Sequence, residues 1–70
     1  PNPTASDVTI KSDKEMASVL VYDFTGKLVR IEEVKTFETK IDMSTLSTGF
    51  YIYTITMSDK TQSTIKVVKE

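Results

Sequence analysis

The side chains able to do chemistry are few in this sequence and lie far apart. The 70 residues include no histidine and no cysteine, so the usual base of a serine or threonine nucleophile is missing, as are disulfides and zinc-finger ligands. Glu32 and Glu33 are an adjacent carboxylate pair, but neighbours on a strand point to opposite faces and cannot share a site. We interpret them as solvated residues and predict that the chain is not an enzyme.

Asp23, Gly26 and Gly49 invite a metal-site or phosphate-site interpretation. No cluster of carboxylates at calcium-loop spacing accompanies Asp23, so we expect it to accept hydrogen bonds from the amides of its own turn. The two glycines are too few for a phosphate-cradling loop, and each is assigned to a backbone position that needs a positive φ. The sequence therefore predicts three fold-defining turn residues and neither a metal nor a cofactor.

The aromatic residues allow two interpretations. They could form a carbohydrate-stacking platform, or their tyrosines could line the core together with Ile55 and Met57. The period-two spacing of Tyr51 and Tyr53 favours the core. The other aromatic residues in question are Phe24, Phe37 and Phe50.

Charge and composition exclude several classes of protein. Nine basic and ten acidic residues are spread along the chain and give a net charge of −1, without the basic patch that nucleic-acid binding requires. No apolar run approaches the roughly 18 residues of a membrane span. Hydroxyl residues are abundant, with eleven threonines and seven serines, and the threonines favour strands because β-branched side chains pack well on a pleated surface. The chain opens on Pro1 rather than methionine, and we interpret it as a fragment of a longer protein.

Apolar residues recur with period two, the signature of β-strands. The pattern predicts strands over residues 8–11, 16–22, 27–33, 37–42, 50–57 and 61–68, with a hairpin turn at 23–26 and another at 58–60. Inward faces are predicted for Val19 and Val21, for Val29 and Ile31, for Phe37 and Ile41, and for Tyr51 to Met57. The connection at 43–49 should tuck Leu46 inward. This spacing predicts an all-β, antiparallel sandwich or small barrel of six to seven short strands.

Four stretches, taken in order, carry a resemblance to a known family. They are Pro1-Asn2-Pro3, Val21–Val29 with its Tyr-Asp-x-x-Gly-Lys hairpin, Ile41–Ile52 with its Leu-x-x-Gly-x-Tyr element, and Thr64–Lys69 with Lys-Val-Val-Lys. Together they resemble the C-terminal sorting domain of the type IX (Por) secretion system of Bacteroidetes. Residues 1–4 are interpreted as the end of an upstream linker, stiffened by two prolines, and residues 5–70 as the sorting domain.

The resemblance implies both a fold and a role. The fold would be an Ig-like antiparallel β-sandwich, attached to the C-terminal end of a secreted cargo. The type IX machinery would recognise it in the periplasm and pass the cargo across the outer membrane. A sortase-like cysteine peptidase would then remove the domain, leaving the cargo at the outer-membrane surface or released outside the cell.

The end of the chain holds the candidate recognition residues Lys66, Val67, Val68, Lys69 and Glu70. We hypothesise that the receptor contacts this segment, and that its deletion traps cargo in the periplasm while the rest of the domain stays folded. An equally weighted interpretation is that the lysines only discourage edge-to-edge aggregation. Glu70 departs from the family pattern, which commonly stops at or near the basic residue.

Two other functions compete with sorting. One is a carbohydrate-binding or adhesin module of an extracellular protein, supported by the aromatic content. The other is a structural spacer. Exposed sandwich edges would also allow the isolated domain to dimerise by pairing or swapping strands.

Overall fold

A computed structural model describes residues 7–70 as one antiparallel sheet of four strands. The strands are β1 (Asp7–Asp23), β2 (Leu28–Asp42), β3 (Gly49–Met57) and β4 (Gln62–Lys69), and their order across the sheet is β2-β1-β3-β4. The all-β, antiparallel class is confirmed. The predicted linker at residues 1–4 and the start of the domain at residue 5 lie outside the described residues.

The six to seven short strands of a two-sheet sandwich are not found in the described part of the chain. The predicted runs at 8–11 and 16–22 are two halves of β1, and those at 27–33 and 37–42 are two halves of β2. The β1–β2 register passes from Lys11 opposite Glu38 to Met16 opposite Thr36, so residues 12–15 form a bulge against a single residue. A bulge bends a strand without ending it, which is why the breaks in alternation are not strand ends.

The bend folds one end of the continuous sheet across the inner face of the rest. Strand β3 ends at Met57, opposite Met16, so the first half of β1 and the last half of β2 form a two-stranded arm beyond it. Val8 and Ile41 of this arm nevertheless belong to the same hydrophobic cluster as Val21. Because the arm pairs with no third described strand, it joins that cluster by folding across the inner face of the sheet.

Most predicted inward faces are confirmed, and two are wrong. The odd-numbered residues from Tyr51 to Met57 are all buried, as are Val19 and Val21, and Leu46 packs partly buried against the core. In contrast, Ile31 is 59% exposed and Phe37 is 54% exposed. Ile31 lies opposite Leu20, which faces away from the core. Register shifts between β1 and β2 change which alternate residues of β2 face the core, and Ile31 therefore points outward.

No helix in residues 7–70 is long and apolar enough to cross a membrane.

Candidate functional site

The first hairpin turn is held together by the side chain of Asp23. Its backbone amide donates to the Lys27 carbonyl at 2.9 Å, and the Gly26 amide donates to the Asp23 carbonyl at 2.9 Å. Gly26 has φ of +88°, a conformation that glycine adopts without steric cost. The Asp23 carboxylate accepts the Thr25 hydroxyl at 2.6 Å and the amides of Thr25 and Lys27 at 2.9 and 3.1 Å. The Thr25 hydroxyl, followed by these amides, lowers the pKa of Asp23.

The turn residues position two exposed phenylalanines next to each other. Phe24 follows Asp23 at the hairpin tip and is 68% exposed, and Phe50 follows Gly49 (φ of +145°) at the start of β3. The two ring centroids are 6.1 Å apart with the planes tilted by 55°, a favourable arrangement for an aromatic pair.

The terminal strand adds a cation to this aromatic pair. The Nζ atom of Lys66 lies 4.5 Å from the centroid of the Phe50 ring, within the range of a cation–π interaction. The β3–β4 register places Ile52 opposite Lys66 and Phe50 opposite Val68. The tip of the first hairpin, the start of β3 and the end of β4 therefore converge. We call Phe24, Phe50 and Lys66 the aromatic–lysine cluster.

The candidate recognition segment does not present all five side chains in the folded domain. Val67 is 2% exposed and belongs to the core, and Lys69 is 9% exposed with its Nζ donating to the Glu70 carbonyl at 3.3 Å. Lys66 and Glu70 are exposed and Val68 is half-buried on the outer face. Deleting the segment would remove Val67 from the core. The deletion would therefore remove a buried side chain together with the outward ones, and the expectation that the rest of the domain stays folded stays a prediction.

The aromatic–lysine cluster is part of a larger apolar surface. One end of the sheet's outer face is apolar across all four strands, while the other end is polar. Because Leu28 lies opposite Tyr22, Tyr22 opposite Ile52 and Ile31 opposite Leu20, these side chains are contiguous. A water-facing side of an antiparallel sheet is usually polar. We call this surface the apolar end: Leu20, Tyr22, Phe24, Leu28, Ile31, Phe50, Ile52 and Val68. We call the opposite surface the polar end: Ser18, Glu33, Thr54, Thr56, Gln62 and Thr64.

Sequence reasoning did not identify the apolar end, although a signal was present. Leu20 and Tyr22 alternate with the buried Val19 and Val21, so β1 has apolar residues on both faces. Phe50 and Ile52 do the same on β3. Apolar side chains on both faces of a strand indicate either that both faces are covered or that one face is an exposed apolar patch.

The predicted core position of Tyr51 and Tyr53 is confirmed, and the alternative of a carbohydrate-stacking platform is not available at these two residues. Tyr51 is buried and its hydroxyl donates to the Ser47 carbonyl at 2.6 Å, which ties the 43–49 connection to β3. Tyr53 is fully buried, and its hydroxyl has no hydrogen-bond partner among residues 7–70. Burial raises the pKa of Tyr53 to about 12.

A groove of about 630 Å³ lies on the other side of the domain, between the β1 bulge and the first half of β4. Ile10, Ile55, Met57 and Ile65 contribute its apolar surface, while hydroxyl, amide and charged side chains form its rim. At the nearby β3–β4 turn, Lys14 Nζ lies 3.4 Å from Asp59 Oδ2. Within residues 7–70, no three histidine, cysteine, aspartate or glutamate side chains come together as metal ligands do.

Comparison with known families gives a match along the whole chain. Residues 1–70 match a family model described as the secretion system C-terminal sorting domain. No curated protein and no solved structure matches the chain. The family match covers all four stretches that carry the resemblance in the sequence.

Proposed function

The chain belongs to the family of type IX secretion C-terminal sorting domains, and from that premise we propose that it acts as a folded label. The family places the domain on a secreted protein that crosses the outer membrane, with the cargo attached on its N-terminal side. The match over residues 1–70 is the observation that carries this proposal.

A label has to be recognisable whatever cargo precedes it, so its surface must come from its own fold. The geometry supports this requirement, because Phe24 lies within the Asp23–Gly26 turn and Phe50 directly follows Gly49. The outward residues of the terminal strand, Lys66 and Val68, lie beside those rings. We propose that the machinery contacts this end of the domain.

We further propose that the domain performs no reaction itself. The sequence has no histidine and no cysteine, which removes the commonest catalytic bases and nucleophiles. A separate sortase-like cysteine peptidase would cleave the chain upstream of the fold. The cargo would then be attached to the cell surface or released into the medium, after transit through the periplasm.

A transplant experiment tests the sorting role directly. The 70 residues are fused to a fluorescent protein that carries a Sec signal peptide, and the fusion is expressed in a type IX-competent strain and in its secretion-null mutant. We expect fluorescence at the surface or in the medium of the competent strain alone. Retention in the periplasm of both strains, with the domain folded, would contradict the proposal and favour a surface-binding module.

The contact surface is tested by substitution rather than deletion, because Val67 is a core residue. Lys66→Glu with Val68→Ser changes the outward side chains of the terminal segment. Thr64→Ser, on the same strand and the same face but outside the segment, is the matched control. We expect the double variant to accumulate in the periplasm and the control to be secreted like the wild type. Normal secretion of a folded double variant would exclude the outward face of this segment as the contact.

A further inference from the structure

Strand β4 is attached to the rest of the domain by very little of the hydrophobic core. Thirteen hydrophobic residues are buried in the described part of the chain, and Val67 is the one that β4 contributes. The other twelve lie on β1, β2 and β3 and at Met43. The core is therefore nearly complete without β4.

The remaining side chains of β4 add little apolar burial. Residues 62–66 are all exposed, including Ile65, which has the inward parity but is 39% exposed at the groove. Lys69 is 9% exposed, but its side chain ends in a charged group that donates to the Glu70 carbonyl, so it adds little apolar burial. Among the described residues, β4 pairs with β3 alone. Segments with few buried apolar contacts open locally at a lower free energy than global unfolding.

While β4 is paired with β3, some of its side chains are buried and cannot be contacted by a partner. Val67 and Lys69 point inward, so a partner of the folded domain reaches alternate residues of the terminal segment at most. If β4 separates from β3, all of residues 66–70 become accessible while β1, β2 and β3 keep their core.

We propose that β4 is a releasable strand, which opens from β3 without unfolding of the remaining sheet after the machinery has contacted the aromatic–lysine cluster of the closed domain. The effect of strand release on secretion rests on the proposed sorting function, whereas local opening of β4 is a property of the chain alone.

Hydrogen exchange of the 70-residue chain tests local opening. The hydrogen-bonded amides of β4 should exchange at least about tenfold faster than those of Val19 and Val21 on the central strand β1. Low concentrations of urea should leave β4 exchange almost unchanged, because opening one strand exposes little surface. Exchange of β4 at the rate of Val19 and Val21, with the same urea dependence, would overturn the proposal.

An engineered disulfide tests the role of opening in secretion. Thr54 and Thr64 are in register on β3 and β4, and the natural sequence has no cysteine, so Thr54→Cys with Thr64→Cys adds a single bond that prevents separation of the whole strand. Ser18→Cys with Thr56→Cys is the matched control, since Ser18 and Thr56 are in register on the same outer face but join β1 to β3. Non-reducing mass analysis confirms each bond, and circular dichroism confirms the fold.

In the transplant assay, the β4-locked reporter should fall at least about tenfold in secretion, while the control disulfide is secreted like the wild type. Secretion of the locked reporter at the wild-type level would overturn strand release while leaving the sorting function intact. Retention of both disulfide variants would also count against release as the specific step. Retention of the wild-type fusion itself would refute the sorting function, and the exchange experiment would then decide local opening independently.

Discussion

The two tight hairpin turns place different residues at the same left-handed backbone position. In the first turn this residue is Gly26, with φ of +88°, and in the second it is Lys60, with φ of +76°. The backbone hydrogen bonds match, because the Lys60 amide donates to the Met57 carbonyl and the Met57 amide donates to the Thr61 carbonyl. A side chain with a Cβ atom is strained in this region by about 1 kcal/mol.

Lys60→Gly should therefore raise the free energy of unfolding by about 0.5 kcal/mol, measured by urea titration. The strain relieved exceeds the greater freedom of glycine in the unfolded chain. Gly26→Ala is the reciprocal variant and should lower the free energy of unfolding by about the same amount. An unchanged or lower stability of the Lys60→Gly variant would show that the lysine is not strained.

The buried hydroxyl of Tyr53 is expected to lower the free energy of unfolding. It has no hydrogen-bond partner within the described part of the chain, and a buried unsatisfied polar group costs about 1–3 kcal/mol. Tyr53→Phe removes the hydroxyl and keeps the ring, so it should raise stability by about 1 kcal/mol. Tyr51→Phe is the control and should lower stability, because the Tyr51 hydroxyl donates to the Ser47 carbonyl.

Tyr53 also predicts how stability changes at alkaline pH. Its pKa is raised to about 12 in the folded state by burial, against about 10 in the unfolded chain. Between these values the unfolded state has lost the proton and the folded state has kept it, so stability falls as pH rises above about 10. Stability measured from pH 9 to 12 should fall less steeply in Tyr53→Phe than in the wild type. Equal slopes would contradict the assignment.

The lowered pKa of Asp59 predicts a fall in stability in acid. The Thr61 hydroxyl, then the Thr61 amide and Lys14, lower the pKa of Asp59 to about 2. A depressed carboxyl pKa stabilises the fold above the unfolded value of about 3.9, and this contribution is lost as pH falls through about 2. Asp59→Asn should flatten the acid limb of the stability curve between about pH 4 and 2. An acid limb of unchanged steepness in the Asp59→Asn variant would contradict the assignment.

At the scale of the strands, the sequence predicts the extended runs but not how they join. Four of the six predicted runs lie within strands and the other two begin one residue before them, and the turns at 23–26 and 58–60 are where the sequence predicts them. Local alternation cannot distinguish a strand that ends at residues 12–15 from one that bends there. The pairing with β2 distinguishes the two cases, because four residues of β1 lie opposite one residue of β2. This register depends on contacts between residues distant in sequence.

The candidate site was likewise predicted in part. The turn residues and the terminal segment could be named from their motifs, but Phe24 and Phe50 occupy positions that the family pattern leaves open. Their meeting at 6.1 Å depends on the β1–β3 pairing, which places Asp23 opposite Tyr51 and which no local pattern contains. The burial of Val67 and Lys69 could be read only after the inward parity of β4 was known.

Val67 and Val68 lie on opposite faces of β4, so their substitution is expected to change stability by different amounts. Val67→Ala should lower the free energy of unfolding by about 1–2 kcal/mol, because a buried side chain loses two methyl groups. Val68→Ala, the next residue on the opposite face, should cost less than half as much since it is half-buried on the outer side. Equal losses measured by urea titration would show that the two faces of β4 are packed alike, contrary to the structure.

At the scale of the whole molecule, the division of the outer face into an apolar end and a polar end predicts self-association of the isolated domain. Phe24, Leu28, Ile31 and Phe50 are each at least 41% exposed at the apolar end, and contiguous exposed apolar surface promotes association. A net charge of −1 provides little electrostatic repulsion between copies. Sedimentation equilibrium should therefore detect dimers whose fraction increases with concentration.

The same experiment distinguishes association through the face from association through strand edges. Phe24→Ser with Ile31→Thr leaves the net charge and the strand edges unchanged but reduces the apolar end, so it should shift the equilibrium towards the monomer. Thr54→Ser at the polar end is the control and should associate like the wild type. Dimers that persist in the double variant would instead indicate edge pairing, because hydrogen bonding along a strand edge does not depend on these two side chains.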